Sequence, residues 1–460
     1  MRRTLFASLV AASLVFVANG LAGGPFATGV IDPAAFTGPE ADTAFARVRA
    51  AGATVVRLQL IWALTAPERR PKGFDATDPG DPAYQFGYLD REVTLATKHG
   101  LEPIVYVQTA PRWALTTNHG FRRPDPKAFG AFALAAARRY SGSFDRLPRV
   151  RFWQAWNEPN KVARPAMKPS QPDWYREMVT SFAAAVHRVH GDNVVIAGGL
   201  SPFGLAGTAV APLDFMRRLL CMSSGPDPVP TCDETTPFEI WSTHPYTSGG
   251  PTHKAAHPDD VSLGNLPEMK ALLDAAVRAH HVRSLEPVRF WVTEFGWDSD
   301  PPDPQAVPMK LLTRWVAEAL YRMWSAGVSL CIWFRLDDDP LSVSPYQTGL
   351  YFHSSSLSDE RPKPWVQAFR FPFVAFPQDG RILVWGRTPA GRPGRVVVEQ
   401  RSGGWLGAST LTTDRYGIFT AVIPSRGSGD VRAEVLGGGS VSVPFSLIAP
   451  PDRFVNPFGS

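Results

Sequence analysis

One unit recurs along the first 370 residues of this chain: an amphipathic stretch with helical spacing, a glycine, then a short and mostly apolar run. Glu40 to Ala51 is followed by Gly52 and by Thr54 to Ile61, and Leu89 to His99 by Gly100 and Pro103 to Gln108. Asp173 to His190 leads through Gly191 to Val194–Gly198, and Lys310 to Ser325 through Gly327 to Ser329–Phe334. A glycine ends a helix cheaply because it enters the left-handed conformation without a Cβ clash. Strands that are apolar on both faces belong to parallel sheets covered by helices. Eight such strands are expected: Phe26–Ile31, Val55–Ile61, Ile104–Gln108, Arg151–Ala155, Val194–Gly198, Glu239–Thr243, Phe290–Thr293 and Leu330–Phe334. A further amphipathic stretch at Pro364–Phe369 is placed to close the ring. Eight alternations favour an α/β fold of the (β/α)8 TIM barrel type over residues 24–370. An open doubly wound sheet is disfavoured, because no dinucleotide glycine fingerprint follows the first strand.

After Phe371 the pattern changes. Arg381–Trp385, Arg395–Glu399, Phe419–Ile423, Val431–Val435 and Ser440–Pro444 are short alternating runs parted by Gly, Pro and Ser, with no helical period between them. They predict an antiparallel, immunoglobulin-like β-sandwich over 371–450, with 451–460 as a tail. The linker to it is short and has no Ser/Thr-rich run, so the sandwich is expected to buttress the barrel rather than swing from a tether.

The chain opens with Met1-Arg2-Arg3, an apolar segment from Leu5 to Ala18, and small residues at Gly20, Ala22 and Gly23. This order predicts a secretory signal peptide over 1–23. Its apolar part is shorter than the roughly 20 residues a spanning helix needs, so no stable membrane insertion is expected after cleavage. A secreted, extracellular location follows. Cys221 and Cys232 lie close together in a Pro/Gly/Ser-rich stretch and are expected to form a disulfide, whereas Cys331 sits inside an apolar run and reads as a buried thiol. No CxxC pair or HExxH is present, so neither a metal nor a cofactor is expected. The net charge of +5 comes from scattered residues without a dense basic run, which argues against a nucleic-acid partner and leaves an anionic polysaccharide open. A monomer is expected.

Two of the apolar runs end in a glutamate: Arg151-Phe-Trp-Gln-Ala-Trp-Asn-Glu158-Pro-Asn160 and Val288-Arg-Phe-Trp-Val-Thr-Glu294-Phe-Gly-Trp297. A carboxylate at the C-terminal end of a barrel strand faces the mouth where ligands bind. Two of them can converge on one bond, which is the minimum equipment for hydrolysing a glycosidic linkage. Eleven per cent of residues are aromatic, 14 of them Trp, and such rings can stack on sugars as well as fill a core.

Trp156-Asn157-Glu158-Pro159 on the fourth strand and Thr293-Glu294-Phe295-Gly296 on the seventh resemble the clan A retaining glycoside hydrolases, family 39-like and cellulase-like family 5 members in particular. The resemblance covers roughly residues 25–370, and its specific part is about ten positions. It implies Glu158 as acid/base, Glu294 as nucleophile, and Asn157 as a partner of the sugar 2-hydroxyl. His244 and Tyr246 in His244-Pro245-Tyr246 match the clan's supporting pair, Tyr246 bonding the nucleophile, and Arg57 matches a buried arginine that keeps Glu294 ionised. Trp333 matches the clan's sugar platform, often beside a cis peptide, and Trp297, like Trp62 and Trp113, is placed to line subsites. Where some clan members carry a histidine after strand three, this chain has Gln108. Asp337, Asp338 and Asp339 after strand eight read as a solvated acidic loop rather than a calcium site. Loop lengths at Pro67–Gln85, Ser201–Pro237 and Thr247–Leu266 imply a walled cleft or pocket. A non-catalytic carbohydrate-binding barrel and a transglycosylase share these features, and the sugar, the linkage and endo or exo action stay open.

Overall fold

The computed structural model describes residues 24–118, 121–161, 171–344, 346–427 and 429–455. The expected signal peptide and the last five residues of the expected tail lie outside the described residues.

The apolar runs form a closed parallel barrel. Its strands are β1 (Ala27–Ile31), β2 (Val55–Ile61), β3 (Glu102–Gln108), β4 (Phe152–Gln154), β5 (Val194–Leu200), β6 (Ile240–Thr243), β7 (Arg289–Phe295) and β8 (Val328–Phe334), each paired to its sequence neighbour, with β8 closing on β1. The main helices that follow them are α1 (Ala41–Ala50), α2 (Gly87–Lys98), α3 (Pro126–Arg139), α4 (Gln171–Val189), α5 (Pro212–Leu219), α6 (Leu266–Arg278), α7 (Met309–Ser325) and the short α8 (Val366–Arg370). Alternate strand residues such as Ile104, Tyr106, Ile196, Ile240, Trp291 and Ile332 fill the barrel interior, so it is a packed core and not a pore. The opposite faces pack under the helices in a second, larger core.

Beyond α8 lie two antiparallel sheets. One is β9 (Phe373–Gln378), β10 (Arg381–Arg387) and β13 (Ile418–Pro424). The other is β11 (Arg395–Ser402), β12 (Gly404–Thr412), β14 (Asp430–Val435) and β15 (Phe445–Ser446). The expected strand at Ser440–Pro444 is reduced to an isolated antiparallel bridge between Val441 and Glu434. The hydroxyl of Ser442 takes the Ala433 N–H at 2.9 Å in place of a ladder carbonyl, and regular pairing resumes only at Phe445. The strands at Phe373–Gln378 and Gly404–Thr412 were not expected.

The sandwich is fastened to the barrel by aromatic packing. Trp385 of β10 is fully buried, with ring centroids 6.4 Å from Phe26, 5.6 Å from Tyr321 and 5.5 Å from Trp324. Burying that one side chain contributes about 3 kcal/mol. Arg314 of α7 lies 3.9 Å over the Phe445 ring and donates to the Ser446 carbonyl. The chain then returns to the barrel, where Arg453 donates to Ala306 and the Val455 N–H donates to the Ser248 carbonyl at 2.7 Å. Among the described residues no helix is long and apolar enough to cross a membrane.

Candidate active site

The fourth strand ends early and its continuation is held open. Trp156 and Glu158 both take positive φ, at 78° and 46°, a conformation that costs non-glycine residues energy and tends to cluster at functional sites. Surrounding bonds hold the turn in place. Tyr175 of α4 donates to the Ala155 carbonyl at 2.7 Å, and the Glu158 N–H donates to the Gly199 carbonyl at 3.0 Å. The fully buried Asn160 amide pairs both ways with the Ser201 backbone and also donates to Val210. Gly199 takes φ 63°, a conformation side chains rarely adopt, and a Cβ there would displace Gln154 Nε2 from its bond to the Trp156 carbonyl. On the seventh strand, the pairing of β7 with β8 shifts register between Val292 and Phe295, and the irregularity falls on Thr293 and Glu294.

Both glutamates converge with His244. An oxygen of Glu158, an oxygen of Glu294 and a ring nitrogen of His244 lie within 4.8 Å of one another. Arg57, fully buried on β2, ties the site together through three oxygens. It donates to Glu294 Oε1 at 2.7 Å, to Asn157 Oδ1 at 2.6 Å and to Gln154 Oε1 at 2.9 Å, and it stacks 3.8 Å over the Tyr106 ring. Tyr246 donates its hydroxyl to the other Glu294 oxygen at 3.3 Å. His244 Nδ1 sits 3.3 Å from Glu158 Oε1 and 3.7 Å from Glu294 Oε2, while its Nε2 is 3.1 Å from the Thr293 hydroxyl. With the ring proton on Nδ1, the histidine donates to Glu158 and accepts from Thr293.

The electrostatics of the two sides differ. Burial alone would raise the Glu158 carboxyl, but the bond to His244 and the ammonium of Lys161 against Oε2 reverse this and hold it well below the usual carboxylate range. Tyr246 is pushed well above an ordinary phenol by burial and by the negative charges of Glu294 and Glu158, so it stays a donor at any working pH.

Six of the expected site residues are therefore in one cluster, Arg57, Asn157, Glu158, His244, Tyr246 and Glu294, and they are joined by Gln154, which was not expected. The Cys221–Cys232 disulfide is formed away from it, with the Cα atoms 5.2 Å apart, and Cys331 is a buried free thiol. The tryptophans are not in the cluster. Trp333 is fully buried, donates to the Thr348 carbonyl at 2.7 Å and packs on Trp365 and Phe369, on the helix side of β8. Its sugar-platform role is corrected by strand alternation: Ile332 and Phe334 take the interior face, so Trp333 cannot. The cis peptides among the described residues are at Asp300–Pro301 and Pro301–Pro302, not beside it. Trp297 is likewise buried, between Phe295 and Trp315 with its N–H on Gly249, and lines no subsite. Trp62 is buried against Phe132, and only Trp113 is half-buried.

The acidic loop is also corrected. Asp338 is buried in an ion pair with the fully buried Lys363 at 2.7 Å, and Asp339 pairs with Arg335 at 2.6 Å. Asp337 lies beside Asp32 and Glu360, where burial and both neighbouring charges raise its carboxyl far above the ordinary range. Two groups of side chains bring possible metal donors together, Glu158–His244–Glu294 and Asp337–His353–Glu360. In both, cationic side chains already meet the carboxylates: Arg57 and Lys161 in the first, Arg47 on Glu360 at 2.7 Å in the second.

Four residues around the site were given no role in the sequence reading. Gln154 and Thr293 sit in the very strands that carry the glutamates, and polar residues inside an apolar run were the available signal. Lys161 follows Glu158 by three residues. Phe334 stands edge-on to Tyr246 and to the exposed Tyr346, with centroids 6.2 Å and 5.4 Å away.

No family model matches the sequence, and no curated protein does. Solved structures similar to the chain include a GH30 endoxylanase from Clostridium papyrosolvens, at 11% identity and TM-score 0.48, covering 88% of this chain and 95% of that one. A glucosidase from Croceicoccus marinus aligns at 16% identity and TM-score 0.48, covering 89% and 95%. A GH5-4 broad specificity endoglucanase from Clostridium cellulovorans aligns at 12% identity and TM-score 0.49, covering 75% and 93%. Identities this low leave the chemistry to be argued from the residues themselves.

Proposed function

We propose that the chain is a secreted, retaining glycoside hydrolase acting on a polysaccharide or its oligosaccharides. The observation that carries the proposal is the approach of the Glu158 and Glu294 carboxyls at the ends of β4 and β7, with an oxygen of each inside a 4.8 Å cluster. Retaining enzymes hold their two carboxyls about 5 Å apart, whereas inverting enzymes need roughly 6.5–9.5 Å to admit a water. Secretion is supported by the Cys221–Cys232 disulfide and by the order of charge, apolar run and small residues in positions 1–23.

Each residue then has a task. Glu294, oriented on one oxygen by Arg57 and on the other by Tyr246, attacks the anomeric carbon. The glycosidic C–O bond breaks as Glu158 gives its proton to the leaving oxygen, and a glycosyl ester on Glu294 results. Glu158, now a carboxylate, takes a proton from water, the water oxygen bonds the anomeric carbon, and the ester C–O bond to Glu294 breaks. Asn157, its carbonyl turned to Arg57, keeps its amide N–H groups for the sugar 2-hydroxyl. Glu158 must carry a proton to begin, yet Lys161 and His244 favour its anion in the unliganded site. Substrate binding therefore has to move Lys161 off Glu158 before the first step.

Hydrolysis of a panel of aryl glycosides and polysaccharides by the wild type beside Glu294→Ala tests the proposal. Activity that is lost in the variant, and restored by azide as a glycosyl azide of inverted anomer, is the expected result. Binding of saccharides without turnover on any substrate would overturn it in favour of a binding protein.

A further inference from the structure

We infer that the site takes an anionic saccharide, one bearing a carboxylate or a sulfate ester on the leaving-group side of the scissile bond, and that Lys161 receives that anion. The inference rests on the glycosidase reading and adds a substrate class to it.

The argument is one of charge balance and of which oxygen is free. Glu158 and Glu294 contribute two negative charges, and Arg57 and Lys161 two positive ones. The two cations are not equivalent. Arg57 is fully buried and held by three oxygens, so it cannot turn to a ligand. Lys161 is 57% exposed and has its ammonium on Glu158 Oε2. The other Glu158 oxygen, Oε1, faces His244. Oε2 is thus the oxygen available to protonate the glycosidic oxygen, and whatever takes the place of Lys161 sits against the leaving group.

Protonating Glu158 neutralises the partner of Lys161 at the moment a saccharide fills the cleft. The ammonium then loses its counter-charge at the edge of the filled cleft and gains from any anion within its reach. Neutral hydroxyls offset that loss weakly. An anion on the leaving sugar restores the ion pair, draws Lys161 away from Oε2, and by doing so lets Glu158 take up its proton. Binding and activation then share one contact. The backbone keeps the lysine within reach of that position, because the Lys161 N–H donates to the Glu158 carbonyl at 3.0 Å.

The test compares wild type, Lys161→Gln and Glu294→Ala on matched substrates. Glucuronoxylan, pectate and alginate are assayed beside their carboxyl-reduced forms, and a carrageenan beside its desulfated form. The wild type is expected to hydrolyse one acidic member faster than its neutral counterpart. Lys161→Gln is expected to lower that acidic-to-neutral ratio of kcat/KM on the order of tenfold. The preference should also fade at about 1 M salt, where screening shortens to about 3 Å. The reduced and desulfated arms tell a carboxylate from a sulfate. Equal or faster hydrolysis of the neutral forms, with a ratio unchanged in Lys161→Gln, would overturn the inference and leave the glycosidase reading standing. Turnover that survives in Glu294→Ala, or none with any member, would overturn that reading and this inference with it.

Discussion

Replacing Arg57 by methionine asks how much of the site depends on one buried cation. The guanidinium is fully buried and satisfies Glu294, Asn157 and Gln154 at 2.6–2.9 Å while lying on the face of Tyr106. Methionine matches the length and apolar body of the side chain but removes every donor. Glu294, only 12% exposed, is then left with the longer Tyr246 and His244 contacts as its near polar partners. Removing one member of a buried ion pair costs about 3–5 kcal/mol, because the other charge stays desolvated. Denaturant unfolding of Arg57→Met should show a loss of that size, and kcat should fall with it. The cycle has a second arm. In Arg57→Met/Glu294→Gln the buried charge is gone from both partners, so at least about 2 kcal/mol of the loss should return, an interaction well outside additivity. A single-variant loss below about 1 kcal/mol, or a double variant as unstable as the sum of the two singles, would refute the assignment of Arg57 as the anchor of the nucleophile.

Other outcomes follow from the same geometry. Tyr246→Phe removes a 3.3 Å hydroxyl bond to Glu294 and should lower kcat/KM about tenfold while leaving the fold intact by circular dichroism. Lys161→Met removes one of the two groups that hold the Glu158 carboxyl low; its free-enzyme value should rise, and the basic limb of the kcat/KM–pH profile should move to higher pH. A basic limb that stays in place or moves to lower pH would count against Glu158 as the acid. Asp337 has a carboxyl raised by burial and by Asp32 and Glu360, so the folded state binds a proton that the unfolded chain releases above its ordinary carboxylate value. Stability should therefore fall as pH rises from the unfolded carboxylate range toward about 9, and Asp337→Asn should flatten that slope, by on the order of 2 kcal/mol between pH 5 and 9. An unchanged slope in urea melts would refute it.

The barrel was legible because its signal is repetitive: amphipathic helix, glycine, apolar strand. The two glutamates stood out as charges at the ends of apolar runs. Side-chain direction was not legible in the same strands. In β8 both faces are buried, so Leu330, Cys331, Ile332, Trp333 and Phe334 show no polar alternation from which to tell the interior face from the helix face. The sequence therefore offers nothing that puts Phe334 rather than Trp333 at the mouth. The fate of Asp338 depended on Lys363, 25 residues further on, and no local pattern announces such a pair. In the sandwich, β12 is largely exposed along Gly404–Thr412 and has no alternation of burial to read, while the Ser440–Pro444 run alternates well but spends its Ser442 hydroxyl on the Ala433 N–H.

The central claim is that Glu294 forms a covalent bond to the sugar. Its most direct test is incubation with 2-deoxy-2-fluoro glycosides bearing an activated leaving group, matched to whichever glycone the substrate panel identifies, followed by peptide mass spectrometry. The account predicts time-dependent inactivation with one fluorosugar added to the peptide that contains Glu294, and none in Glu294→Gln. Turnover of the parent glycoside to a product of inverted anomer, with no adduct on Glu294, would contradict it.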